Sequence, residues 1–236
     1  MGVQSLDDGI LRWMNRRHSA DGARQAWRII SGAVQGNSRL DRSVDIITGV
    51  PGMSMEMLQT TVEEILTWRP EHLSAYQLSV EDGSALAKMI ADGRAAEASE
   101  EDCRAQYDWL CSRLREAGYH HYEISNWALP GHEAVHNSAY WTRQPYVGLG
   151  PGAHSLTYLD ETGCPVRPGM TIETTGATQR RSWNSQKPSG WTEEGSETLT
   201  PEEIHEEAVM LLARTDRGPI PERDWFIADE LIPGLL

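Results

Sequence analysis

Cysteine is scarce in this 236-residue chain: Cys103, Cys111 and Cys164 are the only three. They show neither a C-x-x-C pair nor zinc-finger spacing, and an odd count without paired spacing argues against a disulfide framework. In "EEDCRAQYDWLCSRLREAGY" Cys103 and Cys111 fall near one face of a helical pattern, where small core residues are the ordinary reading. No run of Lys and Arg stands out against a net charge of -14, so the basic stripe that nucleic acid requires is missing. No apolar stretch approaches membrane-spanning length, and the N-terminus lacks the basic-then-apolar layout of a signal peptide. The expectation is a cytoplasmic protein without a membrane span.

What is present suffices for a packed core. With 39% hydrophobic and 24% charged residues, the length fits one globular domain, or one plus an appendage. "GVQS" reads as a strand end at Val3, followed by capping residues from Ser5 to Asp8 and a helix through Leu11 and Met14. "DGARQAWRII" predicts a helix and "VDIITGVPG" a β-branched strand closed by Gly and Pro. Ser54 caps "MEMLQTTVEEILTW", "HLSAYQLSV" is the next strand, and Gly118 closes the long helix that holds the two cysteines. "HHYEISNWA" reads as one further strand. Strands and helices alternating with short connections imply an α/β fold of parallel strands, with those around Val3, Ile46–Thr48 and Ser74–Gln77 adjacent in that order. Residues 156–198 are polar and read as a mobile connection, and "TPEEIHEEAVMLLARTDRG" returns to a helix with Thr200 as cap and Pro201 in its first turn. The domain reading is therefore 1–155, 156–198 and 199–236.

Some residues carry chemistry. Asp45 sits in an apolar strand, where a carboxylate is costly unless paired or placed at the strand's exposed end, the end that forms the ligand face of parallel α/β folds. Gln4 follows a strand end, and Arg16, on the helix after it, offers a planar fork suited to a ligand carboxylate. A surface ion pair is the ordinary explanation for Arg16, and a solvated polar group that for Gln4. "GLGPGAHS" is a tight glycine turn without the Lys and Ser or Thr of a phosphate loop, and its His154 reads as a satisfied loop histidine. "HNSAYW" packs His136, Asn137, Tyr140 and Trp141 into six positions. Either the aromatics are packing and Asn137 caps a turn, or the cluster faces a metal or a flat aromatic ligand.

Taken in order, "GVQS", "NRRHS", "DIITGVPG", "HLSAYQLSVEDGS", "GYHHYEISNWALPGHEAVHNSAYW", "PYVGLGPGAHS" and "TPEEIHEEAVMLLARTDRG" make the chain resemble the oxygen-independent coproporphyrinogen-oxidase-like radical SAM proteins. Within that family, "HN" followed two residues later by "YW" is similar to the heme-chaperone branch and not to the coproporphyrinogen dehydrogenase. The resemblance implies a (β/α) barrel of parallel strands with a smaller helical C-terminal region. It also implies a four-iron four-sulfur cluster and S-adenosylmethionine, the latter contacted by Gln4, Arg16 and Asp45, and heme as cargo for an acceptor protein, with His136, Tyr140 and Trp141 as its contacts.

The departures are as informative. The family's C-x-x-x-C-x-x-C cluster motif is absent, as are the early strands and the glycine-rich SAM loop. The segment between Arg16 and Asp45, around "GAVQGNSR", is longer than the family's. The expectation is the C-terminal half of a barrel, completed by a missing N-terminal segment or a second chain. The readings left open are a heme-binding chaperone, a coproporphyrinogen III dehydrogenase, and an inactive fragment of either. Whether the chain is an enzyme stays undecided on sequence grounds.

Overall fold

Alternation in "SVDIIT" sets the layout of the first part of the chain: Val44, Ile46 and Thr48 are buried, while Ser43, Asp45 and Ile47 on the opposite face are half-exposed. The computed structural model describes residues 1–36, 40–160, 178–187 and 190–236, which form two compact units, Met1–Ala134 and Val135–Leu236. Cys164 and residues 37–39, at the end of the longer segment around "GAVQGNSR", lie outside the described residues.

The first unit runs β1 (Gly2–Gln4), α1 (Asp8–Trp13), α2 (Ala20–Val34), β2 (Ser43–Thr48), α3 (Met55–Trp68), β3 (His72–Gln77), α4 (Ala85–Ala91), α5 (Glu100–Glu116), β4 (His120–Glu123) and β5 (Asn126–Ala128). Its sheet has the order β1-β2-β3-β5-β4. The first three strands are parallel and adjacent as expected, with Gly2 opposite Asp45 and Asp45 opposite Ser74. Helix starts follow side-chain caps: Asp7 accepts from the Ile10 amide, Ser54 from Met57 and Ser99 from Asp102. Val3, Val44, Ile46 and Leu73 are fully buried in one core with Leu58, Val62 and Ile65 of α3 and Leu110 and Leu114 of α5. Burying a side chain of this size contributes roughly 1.5–3 kcal/mol.

The fourth expected strand departs from the expectation. "HHYEISNWA" is not one parallel strand but a hairpin, β4 and β5, turning at Ile124 and Ser125, and β5 runs antiparallel to β3. Glu123 makes the tight turn possible, because its carboxylate accepts from the Ser125 amide at 3.0 Å. The sheet is thus mixed, and among the described residues it is open and no closed barrel is present.

The second unit contains α6 (Val135–Trp141), β6 (His154–Leu159), β7 (Thr178–Lys187), β8 (Gly190–Thr198) and α7 (Pro201–Ala213), followed by short helical turns. The polar stretch read as a connection holds an antiparallel β6-β7-β8 sheet, although 161–177 and 188–189 lie outside the described residues. Polar residues carry its alternation: Gln179, Ser182 and Asn184 are buried, with a bulge between Trp183 and Asn184. The compact units divide at Ala134 rather than at 155. Thr200 caps α7 in a reciprocal box with Glu203, and Pro201 stands in its first turn, as the sequence predicts. No helix among the described residues is long and apolar enough to cross a membrane.

Candidate functional site

Gln4 ends β1 with φ +66, a left-handed conformation that costs a non-glycine residue roughly 1–2 kcal/mol. It pairs in register with Ile46, so it lies one strand over from Asp45. Asp45 is not sealed in the core. It belongs to the half-exposed face of β2.

Arg16 follows α1 instead of lying on it. The helix ends at Met14, Asn15 turns left-handed at φ +55, and the Asn15 and Arg16 amides donate back to Arg12 and Leu11 at 3.0 and 2.9 Å. This paired closure places Arg16 just past the helix end. Two contacts pin the loop: the His18 ring Nε2 is 3.1 Å from the Val3 carbonyl, and the Ala20 amide donates to Asp8 at 2.8 Å. Arg16 is exposed, and among the described residues its guanidinium forms no hydrogen bond or ion pair. Gln4 and Asp45 are neighbours on the sheet, and no polar contact joins Arg16 to either.

The face of the sheet that carries Asp45 holds polar groups that sequence reasoning did not single out. Ser74 donates to the Asn126 side-chain oxygen at 2.9 Å, and the Asn126 amide donates to Glu123. One step along the strands, His72 bridges Ser43 at 3.0 Å and the Tyr122 hydroxyl at 2.7 Å. Burial holds His72 below the ordinary histidine pKa and pushes Tyr122 up to about 12. The signal was available in the alternation of "SVDIIT" and "HLSAYQ", which puts Ser43, Asp45, His72 and Ser74 on one face.

In the second unit, α6 presents "HNSAYW". His136 and Tyr140, one turn apart, have ring centroids 4.9 Å apart at 80°, with the hydroxyl 3.0 Å from His136 Nε2. Tyr140 also meets Tyr146 edge-on at 4.8 Å. His136 and Tyr140 are exposed, whereas Trp141 is half-buried and its indole nitrogen lacks a hydrogen-bond partner among the described residues. Arg143, just after the helix, is buried with φ +53 and pairs with Glu207 and Gln179. Beyond Tyr146, Val147 and Leu149 are each 76% exposed. Their loop is rigidly held. Tyr146 bridges Leu156, the Gly148 amide donates to Ser155 at 2.9 Å, and Asn184 holds the Gly148 carbonyl at 3.1 Å. His154 is exposed and tilts toward Trp183.

No family model matches the chain. The heme chaperone HemW of Mycobacterium tuberculosis is 31% identical over 227 residues, covering 92% of this chain and 52% of that protein. The mitochondrial radical S-adenosyl methionine domain-containing protein 1 of Bos taurus is 32% identical over 238 residues, 95% of this chain and 49% of its own. The chain thus spans about half the length of these curated relatives. Coproporphyrinogen III oxidase (HemN) from Escherichia coli, a radical SAM enzyme, has a similar fold, with a TM-score of 0.63 at 16% identity over all of this chain and 54% of that one. The ordered segments from "GVQS" to the helix at Pro201, the parallel β1-β2-β3 arrangement and these likenesses agree on one conclusion: the chain belongs to the HemW-like family.

Proposed function

We propose that this chain binds heme on the surface of α6 and passes it to an acceptor protein in the cytoplasm. The observation that carries the reading is the exposed pair of His136 and Tyr140, an iron-capable imidazole beside an aromatic ring, with half-buried Tyr146 edge-on to Tyr140 and Val147 and Leu149 adding exposed apolar surface nearby. His136 offers Nε2 to iron once the Tyr140 hydroxyl turns away. That costs one exposed hydrogen bond, about 1 kcal/mol, which a metal–imidazole bond exceeds. The exposed ring of Tyr140 suits the macrocycle face.

Gln4, Arg16 and Asp45 are read as contacts to S-adenosylmethionine, and β1, β2 and β3 as part of a radical-SAM-type barrel. Arg16, exposed and unpaired among the described residues, suits the ligand carboxylate. Asp45, on the half-exposed face of β2, suits the amino group, and Gln4, held in a strained conformation, suits the ribose hydroxyls. The cluster is another matter, because the cysteines do not fit it. Cys103 is buried, Cys111 lies two helical turns further along α5, and no C-x-x-x-C-x-x-C occurs in the sequence. Neither Cys103 nor Cys111 is assigned to a cluster, and no radical step is drawn through them.

The test is titration of the purified chain with ferric heme. One saturable equivalent, bound without added S-adenosylmethionine and without any change in the porphyrin, is expected. Folded protein that shows no saturable heme spectrum overturns the reading.

A further inference from the structure

Cys103 and Cys111 look alike in the sequence and differ in the fold. Cys103 is buried, and burial, together with Asp102 and Glu100, pushes its thiol up. Cys111 is half-exposed, and its Sγ lies 3.9 Å from Nδ1 of His121 on β4.

The imidazole is held in one orientation. Its Nε2 is 3.1 Å from the carbonyl oxygen of Ile124, which can only accept, so Nε2 carries the hydrogen and Nδ1 turns a lone pair to the sulfur. Tyr107 donates to the same carbonyl at 3.1 Å and fixes it in place. The ring lies flat on Trp127, with centroids 4.1 Å apart at 13°. A thiol, a base within reach, and a third group orienting the base are the parts of an activated nucleophile.

We propose that Cys111 and His121 form a reactive thiol–imidazole pair that exchanges with small-molecule disulfides. The Cys111 proton passes to His121 Nδ1. The thiolate attacks one sulfur of the disulfide, a new S–S bond forms as the old one breaks, and the departing thiolate recovers the proton from Nδ1. Cys111 ends as a mixed disulfide, one small thiol is released, and His121 is neutral again. The Ile124 carbonyl is a positioning group that acts through His121.

The experiment uses the full chain carrying Cys164→Ser, with 4,4′-dithiodipyridine as the probe and peptide mass mapping to assign the site. At neutral pH an ordinary thiol is only a few per cent thiolate, so activation leaves room for about a tenfold gain. Cys111 is expected to react about tenfold faster than Cys103 in the folded chain. It should also react faster than the same Cys111 in chain unfolded by guanidinium chloride, although it is partly buried. Burial alone slows a thiol on folding, so slower reaction of Cys111 in the folded chain overturns the proposal. His121→Gln should remove the gain. An unchanged rate in a His121→Gln protein with unaltered thermal unfolding overturns it too, and the comparison of folded with unfolded native chain decides the matter if that variant does not fold.

Discussion

The hydroxyl of Tyr140 sits 3.0 Å from His136 Nε2, one turn along α6, and both residues are exposed. An exposed hydrogen bond between two aromatic side chains adds little to stability, so its worth lies in what it does to the imidazole. It holds Nε2 outward and occupies it until something displaces the hydroxyl.

Tyr140→Phe should therefore tighten heme binding or leave it unchanged. Freeing Nε2 is worth at most about 1 kcal/mol, or roughly fivefold in affinity. Equilibrium titration with ferric heme measures this, and loss of binding in the variant would make the phenol itself the iron contact.

Gln4→Gly should stabilise the chain. The left-handed backbone at φ +66 is free of strain for glycine, so a gain of about 1 kcal/mol is expected in the denaturant midpoint, less the entropy that glycine loses on folding. The same variant should bind S-adenosylmethionine more weakly, which separates a residue kept for a ligand from one kept for the fold.

Acid should unfold the first unit in two steps. Burial lowers the pKa of His72 from its usual 6.5, so below 6.5 the unfolded chain takes a proton that the native state refuses, and stability falls as pH falls. The hydrogen bond from Arg42 lowers the pKa of Glu71 to about 2 from 4.5, so its contribution is present above 4.5 and is lost between 4.5 and about 2. Thermal midpoints of wild type, His72→Gln and Glu71→Gln between pH 8 and 2 should show the first step missing in one variant and the second in the other.

Gly148→Ala should damage the loop beside Tyr146. A Cβ there would meet the His154 carbonyl oxygen at 2.1 Å, and backbone cannot give way as a side chain can. A loss of about 1–3 kcal/mol is expected by thermal unfolding. Gly131→Ala, at φ +85 but with nothing within 4 Å, should cost only its backbone strain, about 1 kcal/mol.

The parallel strands were legible because Val3, Val44, Ile46 and Leu73 form apolar runs separated by well-capped helices. The hairpin at Ile124 and Ser125 was not, since its turn has no Asn-Gly or Asp-Gly and relies on the Glu123 carboxylate, a contact visible only in three dimensions. The β6-β7-β8 sheet was hidden because polar residues carry its buried positions, so it has no hydrophobic period. Arg16 was placed on a helix because nothing local marks Asn15 as a left-handed stop more strongly than the apolar spacing before it marks continuation. Gln4, Asp45 and His136 could be named as candidates from residue type and position. Gln4's left-handed backbone and the Tyr140 contact to His136 could not, because each depends on geometry that no spacing encodes.

The central claim is heme binding through His136, and the most direct measurement is the heme absorption spectrum and affinity of His136→Ala beside its thermal unfolding. Because His136 is exposed and, among the described residues, its one polar contact is to Tyr140, the variant should unfold at nearly the wild-type temperature while its heme affinity drops by about tenfold or more and the ligand bands shift. An unchanged spectrum and affinity in folded His136→Ala would contradict the account and move the iron contact elsewhere, with His154 the next residue to change.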